Sequence, residues 1–229
     1  MHFSGLAERV TAVRERIARA VGRGGHHQQV TLVAVTKTHG ADAVMAIRAA
    51  GVTDVGENKV QEALGKQDEL AGQGAAGEVR WHLIGHLQTN KAKALPRFSL
   101  FHALDRPRLA DAIDKVGVSA PMDVLVQVNV SGEGTKGGYA LGDLPAEAER
   151  LRGLAGLRVV GAMTMAPFDA EEGMLRRVFA GAREAREVLR AAGHPATELS
   201  MGMSGDFEVA VEEGATLVRL GTVLFGERG

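Results

Sequence analysis

Thr31-Leu32-Val33-Ala34-Val35-Thr36-Lys37-Thr38-His39 is a short apolar run rich in β-branched residues that stops at a lysine, with polar residues and Gly40 after it. It reads as a buried strand that delivers its last side chain into a pocket. The way it ends separates two α/β architectures. A doubly wound open sheet carries a glycine-rich fingerprint straight after its first strand, whereas this strand ends in Thr-Lys-Thr-His. A closed barrel needs no such fingerprint, and it gathers polar residues at the carboxyl ends of its strands.

Working outward from this run, strand-like segments recur at 31–36, 52–55, 80–84, 100–104, 122–130, 157–163, 197–200 and 217–220. Helix-like segments lie between them at 41–50, 58–70, 105–116, 144–151, 171–192 and 206–213. Strands that alternate with helices form parallel sheets, because parallel neighbours need crossover connections. Eight repeats imply a single α/β domain over residues 1–229, a (β/α)8 TIM-type barrel. Leu6, Val10, Val13, Ile17 and Val21 recur at three- and four-residue steps, which adds an N-terminal amphipathic helix over about residues 3–21. Gly22 to Gly25 would end it, and the glycine-rich segment 72–77 reads as a surface loop.

Composition narrows the function. The chain has 229 residues, 45% of them hydrophobic, enough for one sizeable core. Its 27 Lys+Arg against 28 Asp+Glu give a net charge of −1, so no global field draws nucleic acid or an anionic membrane. The absence of cysteine excludes disulfides, thiolate nucleophiles and cysteine-ligated metals. No apolar run reaches the roughly 18 residues of a membrane span, and the N-terminus lacks the apolar core of a signal peptide. A soluble cytoplasmic protein is expected.

In a barrel the residues that follow the strands share one face, and the unusual residues fall there. They include Lys37, Gly56-Glu57-Asn58, Gly85-His86, Asn129, Thr164-Met165, Ser204-Gly205 and Gly221-Thr222, with Arg219 inside the last strand. A lysine shielded from water keeps an amine able to condense with an aldehyde. The loops after strands seven and eight are where barrels commonly bind phosphate. Ser204 stands before the 206–213 helix, placed to cap it beside free amides, and Gly221 and Thr222 offer close backbone approach and a second hydroxyl. Arg219, in an otherwise apolar strand, needs a partner, either a ligand acceptor or a buried carboxylate.

Other signals carry less. His82 and His86 stand four apart, but on a strand that separates them by roughly 13 Å, too far to share a metal. His26-His27 reads as solvated loop. The segment 132–138 has the composition of a phosphate loop without its order of residues. Lys91, Lys93 and Arg97 read as a solvated helix face with no interleaved aromatics.

A lysine, an arginine and a phosphate cradle on one barrel face suggest a phosphorylated aldehyde held as a Schiff base, and pyridoxal 5′-phosphate is the candidate cofactor. The motifs Ala34-Val-Thr-Lys37-Thr, Gly56-Glu-Asn58, Trp81-His-Leu-Ile-Gly85, Leu87-Gln88-Thr-Asn90-Lys91, Gly161-Ala-Met-Thr-Met165, Leu199-Ser-Met-Gly-Met-Ser204 and Arg219-Leu-Gly-Thr222 resemble the pyridoxal phosphate homeostasis protein family. The resemblance runs from about Leu32 to Arg228, with Gly205 where a more polar residue is common. It implies a barrel like the N-terminal domain of alanine racemase, with Lys37 as the Schiff-base lysine. It further implies Ser204 and the Gly221-Thr222 backbone at the phosphate, Arg219 at the pyridine nitrogen and Asn58 along the ring. The implied role is a non-catalytic carrier or regulator in vitamin B6 and amino-acid homeostasis, acting as a monomer and serving apoenzymes that need the cofactor, and no metal is expected. The alternative is an amino-acid racemase. That needs a second base opposite the lysine, and the chain's sole tyrosine, Tyr139, lies in a loop after strand five. Lys59 and Lys136 are the lysines that could compete with Lys37.

Overall fold

A computed structural model describes residues 3–74, 79–117, 120–132 and 137–226. The strands are β1 (Thr31–Val35), β2 (Asp54–Glu57), β3 (Arg80–Leu83), β4 (Leu100–Leu104), β5 (Met122–Gln127), β6 (Leu157–Met163), β7 (Glu198–Ser200) and β8 (Leu217–Leu220). They pair in chain order and in parallel, and β8 returns to pair with β1 to close the barrel. The expected TIM-type barrel is therefore the observed fold. Closure matters for function, because the β1–β8 register sets Ala34 beside Leu220. Residues nearly the whole chain apart thus end on the same rim.

The helices are α1 (Leu6–Gly24), α2 (Ala41–Ala49), α3 (Val60–Gly72), α4 (Pro107–Asp114), α5 (Leu144–Leu151), α6 (Glu172–Ala191), α7 (Phe207–Glu212) and α8 (Thr222–Phe225). A 3₁₀ segment, Thr89–Arg97, stands in the place of a helix between β3 and β4. Within it Lys93 and Arg97 are exposed while Ala92 and Leu95 are buried, so the charged face expected there is solvated on a tighter helix.

The last helix is one turn long and cannot cover its share of the barrel wall. α1 takes that place, packing against α7, α8 and α2. Leu6, Val10, Val13, Ile17 and Ala20 form its buried stripe, each contributing about 1.5–3 kcal/mol for the larger side chains. Arg16 reaches Glu208 at 2.8 Å and stacks its guanidinium 4.5 Å from the Phe207 ring centroid. The N-terminal helix thus begins and ends three residues later than its periodicity suggested, and Gly25, at φ 69°, terminates it.

The second strand also differs from its expected range. It runs over Asp54–Glu57, not 52–55, and all four of its residues are buried. Gly56 and Glu57 read as loop residues by composition, yet each belongs to the ladder with β3. The fifth strand ends at Gln127, with one further bridge between Val128 and Tyr139. Among the described residues no helix is long and apolar enough to cross a membrane.

Candidate functional site

Thr36 is the last buried residue of the first strand segment, and two groups fix it. Its hydroxyl donates to Glu57 Oε1 at 2.5 Å, and its carbonyl accepts from Lys66 Nζ at 2.8 Å. Lys66 Nζ also lies 2.6 Å from Glu57 Oε1, a buried ion pair spanning α3 and β2. The chain then turns: His39 N–H donates to Thr36 carbonyl at 3.1 Å, with Thr38 at φ 69°. A positive φ on a β-branched residue is costly and persists only where the surroundings over-determine it. Here the clamp on Thr36 and the turn hydrogen bond do so, and between them Lys37 is held half-buried.

Lys37 Nζ has no hydrogen-bond or ion-pair partner among the described residues. Lys59 contrasts with it. It is exposed and paired to Glu62 at 3.1 Å, within its own helix start. Lys136 lies outside the described residues.

Asn58 follows β2 directly and is half-buried. Its backbone is packed against Gly85, where a Cβ would run into the Asn58 carbonyl oxygen. Gly85→Ala is therefore expected to destabilise the fold by about 1–3 kcal/mol in urea unfolding, by forcing the β2 and β3 loops apart.

Ser204 does not cap α7, contrary to the sequence expectation. α7 has no side-chain cap, and the turn before it is instead shaped by Asp206 Oδ1, which accepts the Met203 N–H at 2.6 Å. The Ser204 hydroxyl oxygen accepts the N–H groups of Gly221 and Val223, both at 3.3 Å. It thereby joins the β7 loop to the first turn of α8, a helix too short for any periodicity to announce. Gly221 lies against the Val35 carbonyl, and Thr222 is exposed. Ser204, Gly221 and Thr222 thus share the rim with Lys37, which follows the strand next to β8.

Arg219 is buried, 4% exposed. Its Nη1 donates to Ser200 Oγ at 2.6 Å and its Nη2 to the Thr164 carbonyl at 3.0 Å. Among the described residues no carboxylate stands within ion-pair distance, so the structural alternative of a buried carboxylate partner is not what the fold provides. Burial lowers its pKa to about 10, and the more distant Asp206 charge opposes that shift. The guanidinium remains charged near neutrality with only neutral acceptors.

Ser200 Oγ in turn lies 2.8 Å from His102 Nδ1. Burial above all, with the Arg219 charge adding to it, holds the fully buried His102 well below the ordinary histidine value. The unfolded chain binds a proton here below about pH 6.5 and the folded chain does not, so falling pH favours unfolding. His102 is expected to remove about 1.4 kcal/mol of stability per pH unit below that point. Urea unfolding between neutral and mildly acidic pH should show a steeper loss in the wild type than in His102→Asn.

Tyr139 is also buried, and its hydroxyl donates to Glu147 Oε1 at 2.8 Å. Burial and that carboxylate both push its pKa up. It is a committed donor, unsuited to act as a base. Among the described residues no group of three His, Asp or Glu side chains is placed to hold a metal ion. His82 is buried, while His86 is exposed and paired with Asp105 at 2.8 Å, so the two point to different surroundings.

The donor set on this rim consists of an unpartnered amine, an arginine without a carboxylate, and a serine hydroxyl on two backbone amides. It fits a phosphorylated aldehyde with a basic ring nitrogen. Sequence reading placed Glu57 among the polar residues after the second strand without a partner, and it missed Lys66. The available signal was Lys66 itself, which sits on the stripe of Val60, Ala63 and Leu70 that α3 buries.

The chain matches the family model described as alanine racemase, N-terminal domain, over residues 9–229. A pyridoxal phosphate homeostasis protein of Pseudomonas aeruginosa is 42% identical over 230 residues, covering 99% of this chain and 97% of that protein. One from Aquifex aeolicus is 42% identical over 226 residues, covering 96% and 97%. Among solved structures, PipY of Synechococcus elongatus with pyridoxal phosphate bound superposes with a TM-score of 0.84 at 36% identity, covering 96% of this chain and 100% of that one.

Proposed function

The chain belongs to the pyridoxal phosphate homeostasis protein family, and from that premise we propose that it binds pyridoxal 5′-phosphate through a Schiff base on Lys37 and acts as a carrier or regulator of the cofactor inside the cell. The observation that carries this reading is the Lys37 amine, half-buried at the rim and without a partner among the described residues. An amine already held in an ion pair would have to break it before it could attack an aldehyde.

The remaining roles follow from the donors each residue offers. Ser204, with the Gly221 and Thr222 backbone and hydroxyl, takes the phosphate. Arg219 presents N–H groups to the ring nitrogen and, holding its own proton, leaves that nitrogen unprotonated. Asn58 lines the ring. Bound pyridoxal phosphate supplies an electrophilic aldehyde carbon and a ring that stores electrons, and the ring stores them poorly when its nitrogen carries no proton. This donor set suits holding the cofactor and releasing it to apoenzymes.

A racemase would need a second acid–base group facing Lys37. Tyr139, the sole tyrosine, is bound to Glu147. Purified protein loaded with the cofactor is expected to reactivate a pyridoxal-phosphate-dependent apoenzyme and to leave D- and L-alanine unchanged. Sustained interconversion of the two would overturn the carrier reading.

A further inference from the structure

A continuous chain of hydrogen-bonded side chains crosses the barrel lumen. From Arg219 Nη1 it passes 2.6 Å to Ser200 Oγ, then 2.8 Å to His102 Nδ1. His102 Nε2 lies 2.9 Å from His82 Nδ1, and His82 Nε2 lies 2.9 Å from Asp54 Oδ1. β4 and β7, which carry His102 and Ser200, are not neighbours in the sheet, so that link spans the interior. None of the five side chains belongs to a residue more than 5% exposed. Barrel interiors are usually filled by branched apolar residues, and a buried polar chain is costly unless every member is satisfied.

The two ends dictate its direction. A guanidinium only donates and a carboxylate only accepts. Hydrogen bonds from His82 and Arg80 hold Asp54 in its carboxylate form, with its pKa lowered although burial alone would raise it. Every link is then satisfied in one arrangement. Arg219 donates to Ser200 Oγ, the Ser200 hydroxyl donates to His102 Nδ1, His102 Nε2–H donates to His82 Nδ1, and His82 Nε2–H donates to Asp54. The reverse arrangement, with a doubly protonated His82, puts a second donor on Ser200 Oγ. Its hydroxyl hydrogen would then have no acceptor among the described residues. In the favoured arrangement the serine hydrogen is committed to His102, and its oxygen stays open to Arg219.

Asp54 Oδ2 also accepts from Arg80 Nη2 at 2.6 Å. Asp54, Arg80 and His82 line a recess of ≈ 400 Å³ at the amino-terminal mouth, on the opposite face from Lys37. The far end of the chain therefore opens away from the site that Arg219 serves.

Resting on the cofactor reading above, we propose that Asp54, His82 and His102 are positioning residues that act through Ser200 to fix the Arg219 guanidinium toward the ring nitrogen of pyridoxal phosphate. The amino-terminal face of the barrel thereby sets the hydrogen bond offered at the carboxyl-terminal face. Asp54→Asn is the informative change. Oδ1 and Oδ2 of the carboxylate accept separately from His82 and Arg80, and the substitution turns one of them into an NH2 donor that faces one of these two donors, which breaks the order of the chain at its far end.

Two measurements test this. In the protein without cofactor, ¹⁵N spectra of labelled histidine should show Nε2–H tautomers at both His82 and His102. A His102 carrying its proton on Nδ1, or an imidazolium at His82, would overturn the chain. With ¹⁵N-labelled pyridoxal 5′-phosphate bound, the pyridine nitrogen resonance should shift from its wild-type position in Asp54→Asn. Affinity should fall about tenfold, the equivalent of one hydrogen bond of about 1.4 kcal/mol. His102→Asn, whose Oδ1 can replace Nδ1 as the acceptor for Ser200, should shift the resonance less than His102→Leu. If His102→Leu does not fold, the tautomers and the other two variants decide. An unchanged pyridine nitrogen in the folded variants would overturn the proposal. Failure of the labelled cofactor to bind the wild type would instead refute the cofactor reading and with it the ring-nitrogen role, while the histidine tautomers still decide whether the chain orients Arg219.

Discussion

Lys37→Ala is expected to lose all borohydride-fixed pyridoxal phosphate and to bind the free cofactor about a hundredfold more weakly, a loss of about 2.7 kcal/mol. The residual binding would come from the groups that do not depend on the amine: Ser204, Gly221 and Thr222 at the phosphate and Arg219 at the ring. The fold itself should barely respond. Lys37 makes no hydrogen bond or ion pair among the described residues, and changes away from such contacts usually fall within about 0.5 kcal/mol. Cofactor titration by absorbance and urea unfolding of the same sample separate the two effects. A variant that keeps the wild-type affinity, or one that loses binding only because it unfolds, would contradict the assignment.

The largest stability effect is expected at Lys66. Its ammonium is bound to Glu57 and to the Thr36 carbonyl, with its side chain only 9% exposed. Lys66→Met leaves the fully buried Glu57 carboxylate without its counter-charge, and Glu57 Oε2 already lacks a hydrogen-bond partner among the described residues. Breaking a buried pair from one side costs about 3–5 kcal/mol, whereas replacing both partners by apolar groups of similar volume is often neutral. Lys66→Met combined with Glu57→Leu should therefore recover much of the loss in urea unfolding. Cofactor capture should not recover with it, because Thr36 would still have lost the two groups that hold it ahead of Lys37. A double variant as unstable as the sum of its singles would show that the pair is not the source of the effect.

The barrel was legible because it depends on alternation along the chain, and apolar runs separated by helical patterns survive errors of a few residues at their ends. Long-range pairing was not legible. β2 was displaced by two residues because Gly56 and Glu57 look like loop, and a buried Glu57 is tolerable through Lys66 from α3 and the Thr36 hydroxyl. The role given to Ser204 as a cap on α7 failed for a related reason: its true partners are amides of α8, a four-residue helix with no periodic signature. Arg219 was recognisable as an anomaly within an apolar strand, but its acceptors, Ser200 and the Thr164 carbonyl, come from β7 and the end of β6. His82 was noted in its strand and weighed as a metal ligand without a partner being found, and His102 drew no notice, although each is a polar residue in a strand the barrel buries. In each case the residue type was visible and its partner lay across the fold.

The most direct measurement of the central claim is a peptide map of wild-type protein reduced with borohydride in the presence of pyridoxal 5′-phosphate. The expected result is one modified peptide, with the phosphopyridoxyl group on Lys37. Modification at Lys59, Lys136 or another lysine in its place, or no modification at all, would contradict the account.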